Sequence, residues 1–209
     1  MRRRSLEWAE GRRVDLIEEG DGATTIVLAH GAGAGQDHPF MAGMRERLAA
    51  AHRVLTFDYP YIAEGRRAPD RMEVLLECHR AVAASAAAGR LVLGGKSMGG
   101  RMASHLDGVD SAALFFLGYP LVAIGKTEPR DTSHLDGNAA PMLFVQGERD
   151  RLGPPHLLES IVAGLPGAAM VVIPDADHGY RVPKRTGIGP VEVLDLLAET
   201  VTGWLAGIR

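Results

Sequence analysis

Short apolar runs alternate with longer stretches of helical periodicity along this chain of 209 residues. Because these runs are apolar almost throughout, they predict strands buried on both faces of a mainly parallel sheet. The runs are 24–29, 53–57, 91–93, 112–117, 142–145 and 170–173. The predicted helices between them are 39–51, 72–88, a segment that ends near Leu106, 155–163 and 191–206. The alternation predicts an α/β fold with helices on both faces of the sheet, and functional loops at the carboxyl ends of its strands.

An edge strand at 13–17, for which 6–9 is a candidate partner, precedes this pattern. Hydrophobic residues make up 46% of the chain and charged residues 23%, as in a globular protein, so we expect a single domain over 1–209. The net charge of −3 disfavours nucleic acid and anionic membranes as partners. Cys78 is the only cysteine, which excludes an internal disulfide and a multi-cysteine metal site.

The basic residues that follow Met1 are typical of the start of a secretory signal, but 5–11 continue polar and acidic without an apolar region. The longest apolar runs are also far shorter than the roughly 20 residues of a membrane span. We therefore expect a cytoplasmic protein that does not enter membranes.

The segment Gly95-Lys96-Ser97-Met98-Gly99 lies between a predicted strand and a predicted helix. This is the context of a nucleophile elbow, in which a serine occupies a strained turn above the sheet. Side chains two residues before and after that serine would clash with neighbouring backbone, which explains the two glycines. The segment therefore predicts Ser97 as a nucleophile; the alternative is a tight glycine-rich turn without chemistry.

Two nucleotide-binding interpretations fit less well. A phosphate-binding P-loop needs a glycine five positions before Gly95, where this chain has Arg90. The other glycine-rich loop, 31–36, has Gln36 in place of the last glycine of a dinucleotide fingerprint, although Asp58 could mimic its ribose-binding acid. No cofactor is therefore expected.

The small residues after His30 favour an oxyanion hole instead. A loop of glycine and alanine lets backbone N–H groups approach a developing negative charge. We expect the amide of Ala32 to act there together with the amide of Met98, the residue after the serine. A glycine-rich turn that merely lets the next helix begin is the alternative.

A serine nucleophile needs a base and an acid that orients the base, in the chain order serine, acid, histidine. Asp150 follows the strand 142–145, and His178 follows the strand 170–173. We therefore predict Asp150 as the orienting acid and His178 as the general base. Glu148 and Asp177 remain alternative acids, and His134 remains an alternative base or a substrate contact. No metal site is expected, because the chain has neither a cysteine pair nor a HExxH motif.

The chain resembles the α/β-hydrolase superfamily over nearly its whole length. The resemblance is carried by LAHGAGAGQDHPFM (28–41), FDYPY (57–61), GGKSMGGRMAS (94–104), FVQGERD (144–150) and DADHGYRVPKRTG (175–187). More closely, it looks like the small dienelactone-hydrolase-like family, related to a domain in a subunit of a nuclear histone-acetyltransferase complex. The resemblance implies a Ser–His–acid hydrolase with Ser97, Asp150 and His178 as its triad. It departs from dienelactone hydrolases in having serine where they carry cysteine, and the nuclear relatives act partly as scaffolds.

Larger members of the superfamily insert a lid after the strand that corresponds to 112–117. Here 121–140 is too short for a helical cap, so we expect an open site that accepts small carboxylic esters or thioesters. A binding or scaffold module and a peptidase or amidase are the alternatives. Cations near the site would attract an anionic substrate, unless they are merely solvated loop charges. They are Lys96 and Arg181, which are candidate substrate contacts, and Arg101, Lys184 and Arg185.

Overall fold

The computed structural model describes residues 1–86 and 89–208, and its eight strands form one sheet in the order β1-β2-β4-β3-β5-β6-β7-β8. The strands from β3 to β8 that neighbour one another are parallel, as predicted, whereas β1 and β2 are antiparallel additions at one edge. The strands are β1 (Arg2–Ala9), β2 (Arg12–Glu19), β3 (Thr24–Ala29), β4 (Arg53–Phe57), β5 (Arg90–Lys96), β6 (Ala113–Leu117), β7 (Met142–Gly147) and β8 (Ala168–Ile173).

Helices cover both faces of this sheet, so the α/β-hydrolase fold expected from the sequence is confirmed. One core contains the apolar stripes of α1 and α6, and the core on the other face contains those of α3, α4 and α5. The helices are α1 (Pro39–Leu48), α2 (Pro60–Ala63), α3 (Met72–Ala86), α4 (Met98–Ser104), α5 (Pro155–Gly164) and α6 (Pro190–Ala206). The last two residues of the helix predicted over 72–88 lie outside the described residues.

The first two strands form a longer hairpin than the sequence indicated. The predicted pairing of 6–9 with 13–17 is present, with Leu6 opposite Val14, but pairing continues to Arg2 opposite Glu18. The arginines that follow Met1 therefore belong to an edge strand. Their solvated side chains hide the strand pattern, because period-two alternation is weak where both faces of a strand are partly exposed.

The connection from β6 to β7 contains no α-helix, so the expected absence of a lid is confirmed. Within 121–140 the described chain forms one turn of 3₁₀-helix, Ser133–Leu135, and an isolated bridge between Val122 and Pro129. The four-residue helix α2 was not predicted; it begins at Pro60, whose fixed φ suits a first helical position. Among the described residues, every helix is too short or too polar to cross a bilayer.

Candidate active site

Ser97 lies between β5 and α4 in a backbone conformation that non-glycine residues seldom adopt, with φ 51° and ψ −115°. Its neighbours permit this turn. A Cβ at Gly95 would overlap the backbone of Gly99 and Gly100, and one at Gly99 would overlap the carbonyl oxygen of Ala29. The amide of Ser97 donates to the carbonyl of Leu117 at 2.9 Å, which ties the turn to β6. These contacts give the two glycines the steric role that the sequence predicted for them.

A chain of hydrogen bonds joins the three residues predicted as a triad. Asp150 follows β7, His178 follows β8, and Asp150 Oδ2 lies 2.7 Å from His178 Nδ1. His178 Nε2 lies 2.9 Å from Ser97 Oγ. Because an ionised carboxylate can only accept, Nδ1 carries the proton, which leaves the Nε2 lone pair free to accept the hydroxyl of Ser97. This arrangement can withdraw the proton of Ser97.

Asp150 is buried, with 2% of its surface exposed. Both of its carboxylate oxygens accept hydrogen bonds from groups other than His178. The amides of Leu152 and Gly153 donate to Oδ1 at 2.8 and 3.2 Å. The amide group of Gln146 donates to Oδ2 at 2.6 Å, while its own oxygen accepts the Tyr119 amide at 3.0 Å. Gln146 was not predicted from the sequence, although a glutamine near the end of a buried strand, four residues before the acid, is a signal for such a role.

The two alternative acids accept hydrogen bonds from backbone amides elsewhere. Glu148 accepts the amide of Asp175 at 2.7 Å, and Asp177 accepts the amides of Gly179 and Arg181 within its own turn. Neither carboxylate takes the position of Asp150 beside Nδ1 of His178.

His134, predicted as an alternative base or substrate contact, is not among the residues that line the described cleft beside Ser97 and His178. Its Nε2 lies 3.0 Å from Ser104 Oγ and 3.3 Å from the hydroxyl of Tyr119, and its ring stacks on His105 at 3.5 Å between centroids. These partners hold the ring beyond the far end of α4, because the 3₁₀ turn packs there rather than over Ser97. Burial lowers its pKa, so the ring favours the neutral form in this contact.

Lys96 lines the cleft, but its ammonium group lies beside the imidazole. Nζ is 3.5 Å from His178 Nε2 and 5.4 Å from the centroid of the Tyr180 ring. Burial lowers the pKa of Lys96 to about 8, while the carboxylates of Asp150 and Asp177 oppose that shift. Lys96 can therefore act on the histidine as well as on a substrate.

The cleft beside Ser97 and His178 has a volume of about 430 Å³. Ala32 and Gly33 form one wall, and Leu152 and the strongly exposed Ile124 form an apolar rim. Met98 is the first residue of α4, where a backbone N–H has no partner within the helix. Ala32 lines the cleft and Met98 directly follows Ser97, so the amides of both residues remain the predicted oxyanion-hole donors.

The loop that carries Ala32 is fixed from beneath by His30. Its Nε2 accepts the amide of Tyr59 at 2.9 Å, so Nδ1 carries the proton and donates to the carbonyl of Gly31 at 2.7 Å. Burial lowers the pKa of His30, which keeps this neutral tautomer in place. The hydroxyl of Tyr61 donates to the carbonyl of Ala32 at 2.9 Å and orients that peptide.

The remaining predicted cations divide into two groups. Arg101 donates to the Tyr119 hydroxyl at 3.3 Å, and Arg185 pairs with Asp175, so both serve internal contacts. Arg181 lines the cleft, and Lys184 lines a neighbouring cavity. Only Lys96 and Arg181 of the five therefore border the cleft that holds Ser97.

Both carboxylate oxygens of Asp58, the residue that could mimic a ribose-binding acid, accept hydrogen bonds from Gln36. The Gln36 amide donates to Oδ1 at 2.7 Å and its side chain donates to Oδ2 at 3.2 Å. Within residues 1–86 and 89–208, no group of three or more histidine, cysteine or acidic side chains is arranged to hold a metal ion.

Known proteins share this architecture. A family model described as an alpha/beta hydrolase domain matches residues 22–206. No curated protein sequence matches the chain. Among solved structures, the chain is similar to an a/b serine hydrolase without lid from Xanthomonas campestris, with 18% identity over 94% of this chain and 90% of that one and a TM-score of 0.73.

Two further structures are similar over almost their full length. A thermophilic esterase from Thermogutta terrifontis has 18% identity over 100% of this chain and 99% of that one, with a TM-score of 0.77. An alpha-beta serine hydrolase homologue from Coxiella burnetii has 16% identity over 96% and 97%, with a TM-score of 0.70. At these identities the likeness shows the fold alone, whereas the family model covers most of the chain. The chain belongs to the α/β-hydrolase family.

Proposed function

We propose that this protein is a serine hydrolase that cleaves small carboxylic esters or thioesters through an acyl-enzyme. The observation that carries the proposal is the hydrogen-bonded chain from Asp150 through His178 to Ser97, at 2.7 and 2.9 Å. Three residues from separate strand ends meet there in the tautomer that base catalysis needs.

The reaction begins when Ser97 Oγ attacks the carbonyl carbon and its proton passes to Nε2 of His178. Asp150 stabilises the imidazolium through Nδ1–H but does not take the proton. The amides of Met98 and Ala32 stabilise the oxyanion of the tetrahedral intermediate. The leaving alkoxide or thiolate then receives the proton from His178. In the second half, His178 removes a proton from water as the water oxygen attacks the acyl-enzyme. His178 then returns the proton to Ser97 Oγ as the bond from that oxygen to the acyl carbon breaks, which releases the acid. No cofactor takes part.

The open cleft supports small or accessible substrates, since the segment 121–140 forms no helical cap above it. The esterase from Thermogutta terrifontis supports ester chemistry on this fold by analogy alone. A cytoplasmic location and the exclusion of nucleic acid stay predictions from the sequence.

Labelling with a fluorophosphonate, read by intact mass, tests the proposal directly. We expect one adduct on the wild type and on His134→Ala, and none on Ser97→Ala or His178→Ala. The wild type and His134→Ala should also hydrolyse p-nitrophenyl acetate, whereas Ser97→Ala should not. A folded wild type that takes no label would overturn the proposal, and a scaffold or binding function would then explain the fold better.

A further inference from the structure

A second cavity of about 560 Å³ adjoins the Ser97 cleft, and the proposed reaction does not use it. It lies between the start of α1, the loop after His178 and the start of α6. Its walls are mostly apolar and include Pro39, Val182, Ile188, Pro190, Val193 and Leu194. A concave apolar cavity of this size is in the range that binds small organic ligands.

The cavity and the cleft share a boundary at the catalytic histidine. Phe40, Gly179 and Arg181 line both, and Gly179 is the residue immediately after His178. A substrate with its carbonyl at Ser97 can therefore extend into the cavity from the cleft, across a position that has no side chain.

The boundary is rigid and apolar. The rings of Phe40 and Tyr180 stack at 5.7 Å between centroids with only 5° between their planes. Tyr180 is buried, and its hydroxyl donates to the carbonyl of Val145 at 2.7 Å, which anchors the stack to β7. An aliphatic chain that crosses this boundary can pack against the apolar ring of Phe40.

Arg181 provides an adjustable cover for that path. Its side chain is exposed, and no carboxylate of the described residues lies within 4.0 Å of its guanidinium. Its methylene stem can therefore pack along an aliphatic chain while the charged group stays in water.

We propose that this cavity is a subsite for the unbranched aliphatic arm of an ester or thioester of medium chain length. The inference rests on the proposed function, since the carbonyl at Ser97 fixes where the arm begins. The chain is carried past Phe40 and Gly179 into the space between α1 and α6. The acyl side or the alkoxy side of the ester can supply such an arm.

Hydrolysis of p-nitrophenyl acetate and octanoate below the micellar concentration tests this subsite. Because each methylene that leaves water favours binding by about fourfold, we expect the wild type to prefer octanoate by about tenfold or more in kcat/KM. Ile188→Trp narrows the cavity and should reduce that preference at least fivefold, with little change on acetate. Ethyl acetate and octyl acetate form the matched series for the alkoxy side. The series in which the preference for the longer ester depends on Ile188 identifies whether the acyl or the alkoxy arm enters the cavity.

Val191→Trp is the matched control. Both residues are exposed and apolar, at 46% for Ile188 and 58% for Val191, but only Ile188 lines the cavity. Val191→Trp should keep the wild-type preference. Equal loss in the two variants, or no preference for octanoate or octyl acetate in the wild type, overturns the subsite.

Calorimetric titration of Ser97→Ala with the free octanoate ion separates this inference from the proposed function. Binding that weakens about fivefold or more when Ile188→Trp is added supports the subsite, even if the wild type hydrolyses no ester. Hydrolysis of short esters without Ile188-dependent octanoate binding leaves the proposed function intact and overturns the subsite.

Discussion

Nζ of Lys96 lies 3.5 Å from Nε2 of His178, the nitrogen that also faces the Ser97 hydroxyl at 2.9 Å. A protonated lysine there repels the imidazolium that forms when Ser97 attacks. Coulomb's law gives about 1 kcal/mol for unit charges at 4 Å in water, and more where the site is drier. Because burial lowers the pKa of Lys96 to about 8, this repulsion is removed within an accessible pH range.

The first prediction concerns the pH profile of kcat/KM. In the wild type, kcat/KM should rise by about fivefold or more as Lys96 loses its proton near pH 8. Lys96→Met has no charge to lose near pH 8, so it should lack this rise.

Profiles of kcat/KM across roughly pH 5 to 10 check this expectation, with the exposed Lys126→Met as the control that keeps the rise near pH 8. A rise near pH 8 that persists in Lys96→Met would assign it to another group.

The second prediction concerns Gly118, which has φ +69° and faces the triad. A Cβ there would lie 3.1 Å from Nζ of Lys96 and 3.5 Å from both Asp150 Oδ2 and His178 Cε1. Gly118→Ala should therefore lower kcat/KM about tenfold, because alanine at this positive φ would shift the backbone that lies against the triad. It should also reduce the free energy of unfolding by about 1 kcal/mol, because alanine disfavours positive φ.

Gly125→Ala separates the two effects. Gly125 has φ +74°, but a Cβ at this position would have no atom within 4 Å, so that variant should lose similar stability and keep its activity. Urea unfolding and kcat/KM on p-nitrophenyl acetate measure both quantities. Parallel losses of activity in the two variants would contradict a steric effect on the triad.

The third prediction concerns Gln146, which positions Asp150. Gln146→Leu removes the donor to Asp150 Oδ2 and leaves the buried amide of Tyr119 without its acceptor. We expect kcat/KM to fall about tenfold or more and the unfolding free energy to fall by about 1–3 kcal/mol. Leu158→Ala is the control for stability alone. It removes a buried side chain of α5 and should lower the unfolding free energy by about 2–5 kcal/mol. If Leu158→Ala loses as much kcat/KM as Gln146→Leu for the same loss of unfolding free energy, Gln146 has only a structural role.

The fourth prediction distinguishes the two candidate bases. His134→Phe keeps a ring that can stack on His105 but loses the hydrogen bonds to Ser104 and Tyr119. It should retain kcat/KM within about twofold and lose about 1 kcal/mol of stability. His178→Phe should lose at least about a thousandfold in kcat. Steady-state kinetics and urea unfolding on the purified variants provide the comparison.

The fold and the positions of Ser97, Asp150 and His178 could be predicted because each depends on local pattern and on one topological rule. Each residue follows an apolar strand, and the carboxyl ends of parallel strands lie at one edge of the sheet. Chain order then limited the choice of acid and base. The same reasoning could not select Asp150 over Glu148 by geometry, since both lie in the turn after β7.

The contacts of Gln146, Gly118 and Lys96 depend on register between strands. Lys96 pairs with Leu117, which brings Gly118 level with the serine turn. A strand that is apolar throughout fits its neighbour in several registers, because no alternation of polar residues marks one face. The position of His134 could not be predicted for a related reason: its segment has no periodicity, and only packing against α4 decides where the ring lies.

The free edge of β1 has a consequence for the protein at high concentration. An exposed strand edge offers unpaired N–H and C=O groups to any other chain, which is a route to aggregation. Here that edge carries Arg3 and Arg4, whose guanidinium groups already pair with Asp37 at 3.0 Å and Glu18 at 3.7 Å of their own chain. Charged side chains on an edge strand disfavour the addition of a foreign strand. The basic stretch after Met1, typical of the start of a secretory signal in the sequence, is therefore expected to disfavour edge-to-edge joining of folded copies.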